Sequence, residues 1–498
     1  MKKIAARLSV WTTLLFLCVY TSNAQVGIGT TTPHDSSLLD VTSTTKGFLT
    51  PRMTTAQRVA IALPADGLLV YDTSLKSFYY YNTTTATWLA ISSEVNGRLK
   101  FKRIKSTDVL ATVLADEKAV GSNAKYVLDT STLYEINGTI NVDLPIDLNN
   151  AYIAGLDANQ DKLVRTSGNL FDGATGGGVR NLTIQVTGGG SVFNLIGAAT
   201  QSLIFRDTVV TSCSNVGTIN GFGLVFFAII QYVGNTNGIT YTNITRLLLS
   251  NTAWFGNNAG TFEKLTGTFS LVEKQGGFCE VNGTAIGFDV SGNPTISGDA
   301  VMETVVFAGT LSSGLFIKGY TVGNYTGYNF NNKWNVRCAG IPTESDATAT
   351  GNLYKTSSTT TTTTTATTQN TGYKVNTTAS SALNLLRFAS ATTARLTYKG
   401  TKSRAFQASA SISFIESSGG TNANYVFYFV KIAADGTTVT PLPETETFID
   451  TNSGFVQAFP ITGTVVLLEN ESVEVYLKRV NTGTKIAVQT YSYNLSLK

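Results

Sequence analysis

The sequence predicts an all-β protein with a right-handed parallel β-helix shaft, a small N-terminal β module and a C-terminal jelly-roll sandwich. Two observations concern composition: 46 Gly accompany an excess of Thr, Ser and Asn, and only 14% of the residues are charged. Such a composition is typical of strands and turns rather than of helical bundles. The third observation is that short apolar stretches recur between about residues 125 and 340, with Gly/Asn turn signals between them and no helical pattern.

Composition also excludes several classes of function. The 498 residues carry a net charge of only +4, and no Lys/Arg cluster suited to phosphates is present, so we expect no nucleic-acid partner. His34 is the single histidine, which excludes a Ser-His-Asp triad, a Cys-His pair and a multi-histidine zinc site. The cysteines Cys213, Cys279 and Cys338 are far apart and are expected to be small buried residues. We predict no metal and no cofactor.

Residues 1–24 have the layout of a secretory signal. A basic start is followed by the apolar run Leu14–Tyr20 and by the small residues Ser22-Asn23-Ala24. The apolar run is too short to span a bilayer, and no later run is long enough, so we expect no membrane span after removal of the signal. The predicted location is extracellular or at the cell surface, with the virion tail as the alternative.

Residues 25–97 form a predicted attachment or stalk module. Gly67–Thr73 and Ser77–Ile91 resemble two strands of a hairpin. A module this small buries little on its own, so we expect copies to associate through its aromatic faces. The run QVGIGTTTPHDSSLLDVTSTTKGFLTPRMTTAQRVAI, with GLLVYDT and FYYYNTTTATW, resembles the N-terminal module of secreted surface and phage tail-fibre-like proteins of the Bacteroidota. The resemblance implies a multi-subunit fibre, expected to be a homotrimer, whose N-terminal module joins an anchoring structure.

Residues 98–124 are predicted to be a connector and a helical cap. Thr107–Val120 has apolar residues at helical spacing and a capping residue in Thr107 or Asp108. We expect this helix to plug the open end of the domain that follows, because an exposed sheet end needs covering.

Residues 125–342 are predicted to be the β-helix. Alternate apolar residues would point inward, and Asn or Gly would allow tight corners. With about 20 to 25 residues per turn and about 4.8 Å per coil, roughly nine coils would make a shaft on the order of 45 Å long. The segment YEINGTINVDLPIDLNNAYIAGLD resembles the entry coil of pectate-lyase-like β-helices carried by tailspikes and fibre proteins.

The last two predicted segments are a Thr-rich linker over residues 343–372 and a jelly-roll head over residues 373–498. The linker is expected to be extended because its Thr run has no apolar residues with which to pack. The head shows longer alternation over about eight strands, as sheets with one wet face require. Its sequence resembles the C-terminal jelly-roll heads of phage fibre and related trimeric surface proteins.

Catalysis on the shaft would need paired carboxylates or a basic residue with bound cations. Glu273 and Glu280 flank a Gly-Gly turn, which brings them close to each other if the chain reverses there. The favoured interpretation is that they are two solvated loop carboxylates, so no catalytic residue is assigned and this pair is kept only as the alternative.

Glycan binding without cleavage requires exposed aromatic faces and polar groups around them. Candidate residues of this kind are aromatics in Gly/Asn-rich stretches, namely Trp254, Phe255, Tyr325, Tyr328 and Trp334. The alternative is that they pack the end of the shaft or a subunit seam.

The sequence therefore predicts a non-enzymatic, homotrimeric fibre or tailspike-like adhesin that recognises a cell-surface receptor, with carbohydrate as the expected ligand. One alternative is a polysaccharide depolymerase, a lyase or hydrolase, with its site on the β-helix. The other alternative is a purely structural shaft component whose partner binds at the head.

Overall fold

The computed structural model describes Ile4 and residues 25–91, 100–356, 361–377, 380–416, 420–451 and 454–498. Apart from Ile4, the predicted export signal lies outside these residues. The chain divides into two compact units, Met1–Leu99 and Lys100–Lys498. Within the described part, no helix combines the length and the apolar character needed to cross a membrane.

Over residues 25–91, the N-terminal unit contains two small sheets and one short helix, Thr55–Val59. Thr54 and Gln57 form a capping box at the start of this helix. Val26–Ile28 pairs in parallel with Leu39–Val41. The second sheet has four strands, in the order Arg52–Met53, Leu69–Asp72, Ser77–Asn82 and Thr87–Ala90.

The second unit begins with a parallel β-helix of about eight turns, which confirms the predicted fold class. Its larger sheet has 13 strands and its smaller sheet has nine, all paired in parallel with neighbouring coils. The larger sheet contains Phe101–Lys105, Leu133–Asn137, Thr139–Asn141, Tyr152–Ala154, Lys162–Arg165, Gly177–Arg180, Thr183–Val186, Ser202–Thr211, Leu224–Val233, Arg246–Trp254, Leu271–Glu280, Ala300–Ala308 and Trp334–Ala339. The smaller sheet contains Tyr126–Val127, Ile146–Asp147, Phe171–Gly173, Ser191–Ile196, Asn215–Asn220, Ile239–Thr242, Thr261–Thr266, Ile286–Asp289 and Leu315–Lys318.

From Ser202 onward, the coils lengthen toward the C-terminus. Ser202 pairs with Leu224 and Leu224 with Arg246, so these coils take 22 residues each. Val272 pairs with Ala300, a step of 28 residues, and Ala300 with Trp334, a step of 34. Two of the longer coils carry an additional pair of parallel strands, Thr268–Phe269 and Thr295–Ile296.

One corner of the β-helix is built from residues in the left-handed backbone region. Equivalent positions of six successive coils have φ between 51° and 64°. These are Asn181, Asp207, Ile229, Asn251, Gly276 and Thr304. The corner divides the long strands of the larger sheet into two parts, which we call the N-terminal face and the C-terminal face of that sheet. Together with the smaller sheet, they give the shaft three faces. Asn, Asp and Gly suit this conformation, whereas the β-branched Ile229 and Thr304 do not.

The predicted connector and cap differ in detail from the structure. Phe101–Lys105 is already the first strand of the β-helix, because it pairs in parallel with Leu133–Asn137. The expected single helix is two short ones, Leu110–Val113 and Ala115–Val120, which meet at Leu114. Leu110 and Leu114 are buried in the core of the shaft, as expected of a plug.

The predicted Thr-rich linker is wrong. Thr350–Lys355 and Thr362–Thr365 both pair antiparallel with the last strand, Ala487–Leu497, and so belong to the C-terminal sandwich. Threonine is β-branched and fits a half-buried sheet surface, so a Thr run forms an edge strand once a partner strand is available.

The C-terminal sandwich consists of two antiparallel sheets around a second core. The first sheet contains Thr350–Lys355, Thr362–Thr365, Ser381–Leu386, Arg404–Glu416, Gln457–Leu467 and Ala487–Leu497. The second contains Gly372–Lys374, Phe388–Ala389, Leu396–Tyr398, Asn424–Ile432, Val439–Pro441, Thr447–Asp450 and Ser472–Arg479. The 3₁₀ helices Asp346–Thr348 and Pro443–Thr445 complete the unit.

Arg387 joins the sandwich to the last coil of the β-helix. Its guanidinium is buried and donates hydrogen bonds to the Asp346 carboxylate and to the carbonyl oxygens of Trp334 and Asn332. Asn332 Nδ2 in turn donates to the carbonyl oxygen of Lys399 at 2.6 Å. The shaft and the sandwich therefore share a buried polar junction.

Candidate functional site

An open cleft lies on the face formed by the smaller sheet of the β-helix. Its volume is about 780 Å³ including the solvent-filled mouth, and four successive coils contribute to it. The side chains are almost all hydroxyls and amides, with a single ammonium group. The lining residues are Ser191, Asn215, Gly217, Thr218, Asn237, Gly238, Ile239, Thr240, Thr261 and Lys264.

Parallel pairing places chemically similar side chains of neighbouring coils directly above one another. Thr218 pairs with Thr240, and Thr240 with Lys264, so these three side chains form one outward column. Asn237 Nδ2 donates to Asn215 Oδ1 at 3.0 Å in a second column. The cleft thus presents ordered rows of donors and acceptors along the shaft.

Two glycines keep the floor of the cleft bare. Gly217 has a φ of +115°, and a Cβ there would lie 2.0 Å from the carbonyl oxygen of Phe193. A Cβ on Gly238 would likewise lie 2.0 Å from the carbonyl oxygen of Phe262. Larger residues are excluded by the backbone of the neighbouring coil, and the open floor follows from this close packing.

Lys264 supplies the positive charge of the cleft. Its side chain is half-buried, and among the described residues it makes no ion pair within 4.0 Å. The next residue in its column is Asp289, whose carboxylate lies 3.9 Å from Lys318 Nζ and accepts hydrogen bonds from the backbone N–H and the hydroxyl of Ser291. Lys264 is therefore available to an anionic group of a ligand.

Two of the aromatic residues predicted to bind a ligand lie in the core. Trp254 is fully buried and stacks on Phe262, with ring centroids 4.6 Å apart. Trp334 is also fully buried, and its Nε1 donates to the Tyr320 hydroxyl at 3.0 Å. Neither ring presents a face to a sugar, so the prediction is wrong for both.

The other three aromatic residues are half-buried. Phe255 packs edge-on against Phe278 at 5.0 Å, on the C-terminal face of the larger sheet. Tyr325 and Tyr328 lie in one loop near the end of the β-helix, where the Tyr325 hydroxyl donates to Asn332 Oδ1 at 2.8 Å. None of the three lines the cleft, and their role in binding stays a prediction.

Glu273 and Glu280 are not joined by a reversal of the chain. Gly276 and Gly277 both have positive φ, but they form a corner within the continuous strand Leu271–Glu280 rather than a hairpin. Glu273 lies before this corner, and Glu280 lies after it, where it accepts a hydrogen bond from the N–H of Gly256 at 3.1 Å. The expected approach through a Gly-Gly turn is therefore wrong.

The interior of the β-helix contains a buried ion pair. Glu263 and Lys274 face each other across the interior of the β-helix, 2.8 Å apart, and are at most 1% exposed. Burial raises the pKa of Glu263, and the ammonium of Lys274 opposes that effect. Both side chains are shielded from solvent, and the pair lies inside the core of the shaft.

The cleft itself was missed by sequence reasoning. The available signal was the recurrence of Asn215 and Asn237, and of Thr218 and Thr240, at the coil length of 22 residues. The predicted glycan-binding residues are aromatic, whereas the lining of the cleft contains no aromatic residue.

Comparison with known proteins bears on the N-terminal unit. Residues 27–107 match the family described as "Phage tail like trimerisation region". The match supports self-association of the chain as a trimer and a phage tail-like character.

A comparison with curated proteins found no match. Among solved structures, the chain is similar to the enzymatically active domain of tailspike protein 2 of bacteriophage CBA120, with 11% identity, 89% of each chain covered and a TM-score of 0.20. Over residues 27–107, this chain is thus similar to phage tail-like trimerisation regions.

Proposed function

We propose that this protein is a trimeric, non-enzymatic fibre that recognises a surface glycan through the cleft on its smaller sheet. The observation that carries the proposal is the row of hydroxyls and amides across four coils, with Lys264 at one side. Sugar hydroxyls need such donors and acceptors, and a single ammonium group favours a glycan that carries carboxylates.

The lining favours binding over cleavage. Glycoside hydrolysis uses two carboxyl groups about 5 to 10 Å apart on either side of the scissile bond. The described residues that line the cleft contribute no carboxylate, and its one charged group is an amine. A cleft of this kind holds a glycan without supplying the acid and base.

The remaining parts of the proposal concern assembly. The N-terminal module would join the fibre to an anchoring structure, and the C-terminal sandwich would be a jelly-roll head. Three copies would present three clefts, so that weak single sites gain avidity. The predicted export signal favours the bacterial surface as the location, with the virion tail as the alternative.

Lys264→Ala tests the cleft in the full-length protein. Binding of a uronate-containing oligosaccharide, measured by calorimetry, should weaken by about tenfold or more, because a charge-assisted hydrogen bond contributes about 1.5–3 kcal/mol. A neutral oligosaccharide should lose much less affinity. Lys333→Ala, which removes the same charge from an exposed position on the last coil, is the matched control and should leave binding unchanged.

Three results would contradict the proposal. The first is equal binding by the Lys264 and Lys333 variants. The second is release of reducing or unsaturated ends from the oligosaccharide, which would indicate a depolymerase. The third is loss of all binding on removal of the whole sandwich, residues 346–498, since this would place recognition in the head.

A further inference from the structure

An apolar column runs along the outside of the shaft, on the N-terminal face of the larger sheet. Strand register places one outward residue from each coil in a single line, and most of these are large and apolar. From the first coil onward they are Phe101, Leu133, Tyr152, Gly178, Ile204, Phe226, Leu248, Glu273 and Val301. We call this line the apolar column.

The apolar column is open to solvent in the single chain. Tyr152 is 53% exposed and Ile204 is 39% exposed, and the others are half-buried apart from Gly178. Gly178 is covered by its neighbour, because a Cβ there would lie 2.8 Å from the Tyr152 ring. A largely apolar line of this length is unusual on the surface of an isolated chain and marks an interaction surface.

We infer that the apolar column is the seam along which three shafts pack around a common axis. Phe101, the first member, lies within residues 27–107, the segment that matches the trimerisation region. The column thus continues directly from a segment associated with trimers. This inference rests on the proposed trimer and adds the position of its interface along the shaft.

Charged side chains beside the apolar column fit this arrangement. Glu273 interrupts the column. It pairs with Leu248 of the preceding coil, and Arg246 lies two positions before Leu248 in that coil. Within the part of the chain that the structure describes, neither Glu273 nor Arg246 has an ion-pair partner within 4.0 Å. At a seam between copies, each would gain an opposite charge from a neighbour.

The seam and the glycan cleft can function together. The apolar column belongs to the larger sheet, whereas the cleft belongs to the smaller sheet of the same shaft. Packing of three copies through the column therefore leaves the cleft accessible to a ligand.

Cysteine cross-linking of the full chain tests the seam. Ile204→Cys places a thiol on the apolar column, and a short bismaleimide should join copies into dimers on a denaturing gel. Ile196→Cys replaces another exposed isoleucine, on the smaller sheet, and should give no more cross-linking than the unmodified protein, which controls for the natural cysteines. Phe226→Cys is a second seam variant in case Ile204→Cys folds poorly.

Light scattering measures the mass of the native particle, and this mass tests the trimer separately from the position of its seam. A mass of three chains with cross-linking at Ile204→Cys or Phe226→Cys is the expected result. A mass of three chains with cross-linking only at Ile196→Cys would overturn the seam but keep the trimer. A mass of one chain would overturn both.

Discussion

Lys274 Nζ lies 2.8 Å from a carboxylate oxygen of Glu263 inside the β-helix, and the two side chains are at most 1% exposed. Lys274 also donates to the Thr252 hydroxyl at 2.9 Å and lies 5.0 Å from the centre of the Phe262 ring. Removal of one partner of a buried pair leaves the other charge uncompensated. This pair therefore provides the sharpest test of the interior of the shaft.

Lys274→Met should lower the free energy of unfolding by about 3–5 kcal/mol at pH 7 because the Glu263 carboxylate is left buried and unpaired. The double variant Lys274→Met/Glu263→Leu should recover most of this loss. Urea unfolding followed by circular dichroism measures both. Equal destabilisation of the single and double variants would show that the pair is not the cause.

The Lys274→Met variant should also depend on pH. Burial raises the pKa of Glu263 in the folded chain, and loss of the ammonium raises it further. The folded state then holds the proton more tightly than the unfolded state, so stability falls as pH rises above the unfolded pKa of about 4.3. The deficit relative to the natural chain should therefore be largest at pH 7 and should shrink toward pH 4. A deficit that is the same at both pH values would exclude ionised Glu263 as its source.

Ile229→Asn should stabilise the protein by about 1 kcal/mol. Ile229 has a φ of 56°, and a left-handed conformation costs an ordinary L-residue roughly 1–2 kcal/mol, whereas asparagine adopts it readily. Its side chain is 54% exposed, so little burial is lost. Ile196→Asn, at an exposed strand position without positive φ, is the control and should not stabilise; thermal unfolding compares the two.

Arg387→Met should weaken the junction between shaft and sandwich. The buried Asp346 carboxylate would lose its cationic partner, at a cost of about 3–5 kcal/mol. We expect calorimetry to resolve separate transitions of the shaft and the sandwich in this variant, and a single shared transition of these two parts in the natural chain. Lys402→Met, an exposed change in the same region, should keep a single transition.

Arg58→Met should reduce trimer formation. The Arg58 guanidinium lies 3.9 Å from the centre of the Tyr79 ring, and its Nε donates to Asp72 at 3.0 Å. Among residues 25–91, Val70 is the one buried hydrophobic side chain, so this polar cluster organises the module. Analytical ultracentrifugation should detect more monomer than in the natural protein. Arg52→Met, with its guanidinium 5.7 Å from the Tyr71 ring on the surface, should behave like the natural chain.

The β-helix could be predicted from sequence because strand alternation and Gly/Asn corners are local signals. Whether a side chain points into the core or toward solvent is not a local signal. Trp254 follows an alternating strand and precedes a Gly/Asn loop, and only its pairing with Tyr232 and Cys279 shows that it points inward. A shift of one residue in register would reverse that orientation, which is why Trp254 and Trp334 were misassigned.

The linker prediction for the Thr-rich segment was wrong because the local signal was misleading. Its local composition predicts an extended linker, but Thr362–Thr365 is held by Ala487–Leu497, more than 120 residues away in sequence. The cleft depends in the same way on which coil lies above which, and its polar residues carry no signal until the coil length is known.

The corner after Thr266 has consequences for how such shafts diversify. The extra strands Thr268–Phe269 and Thr295–Ile296 were accommodated there while the pairing of both main sheets continued from coil to coil. Residues added at this corner extend outward from the shaft and leave the pairing of the neighbouring coils unchanged. This edge is accordingly the natural place to graft foreign peptides onto the fibre for display.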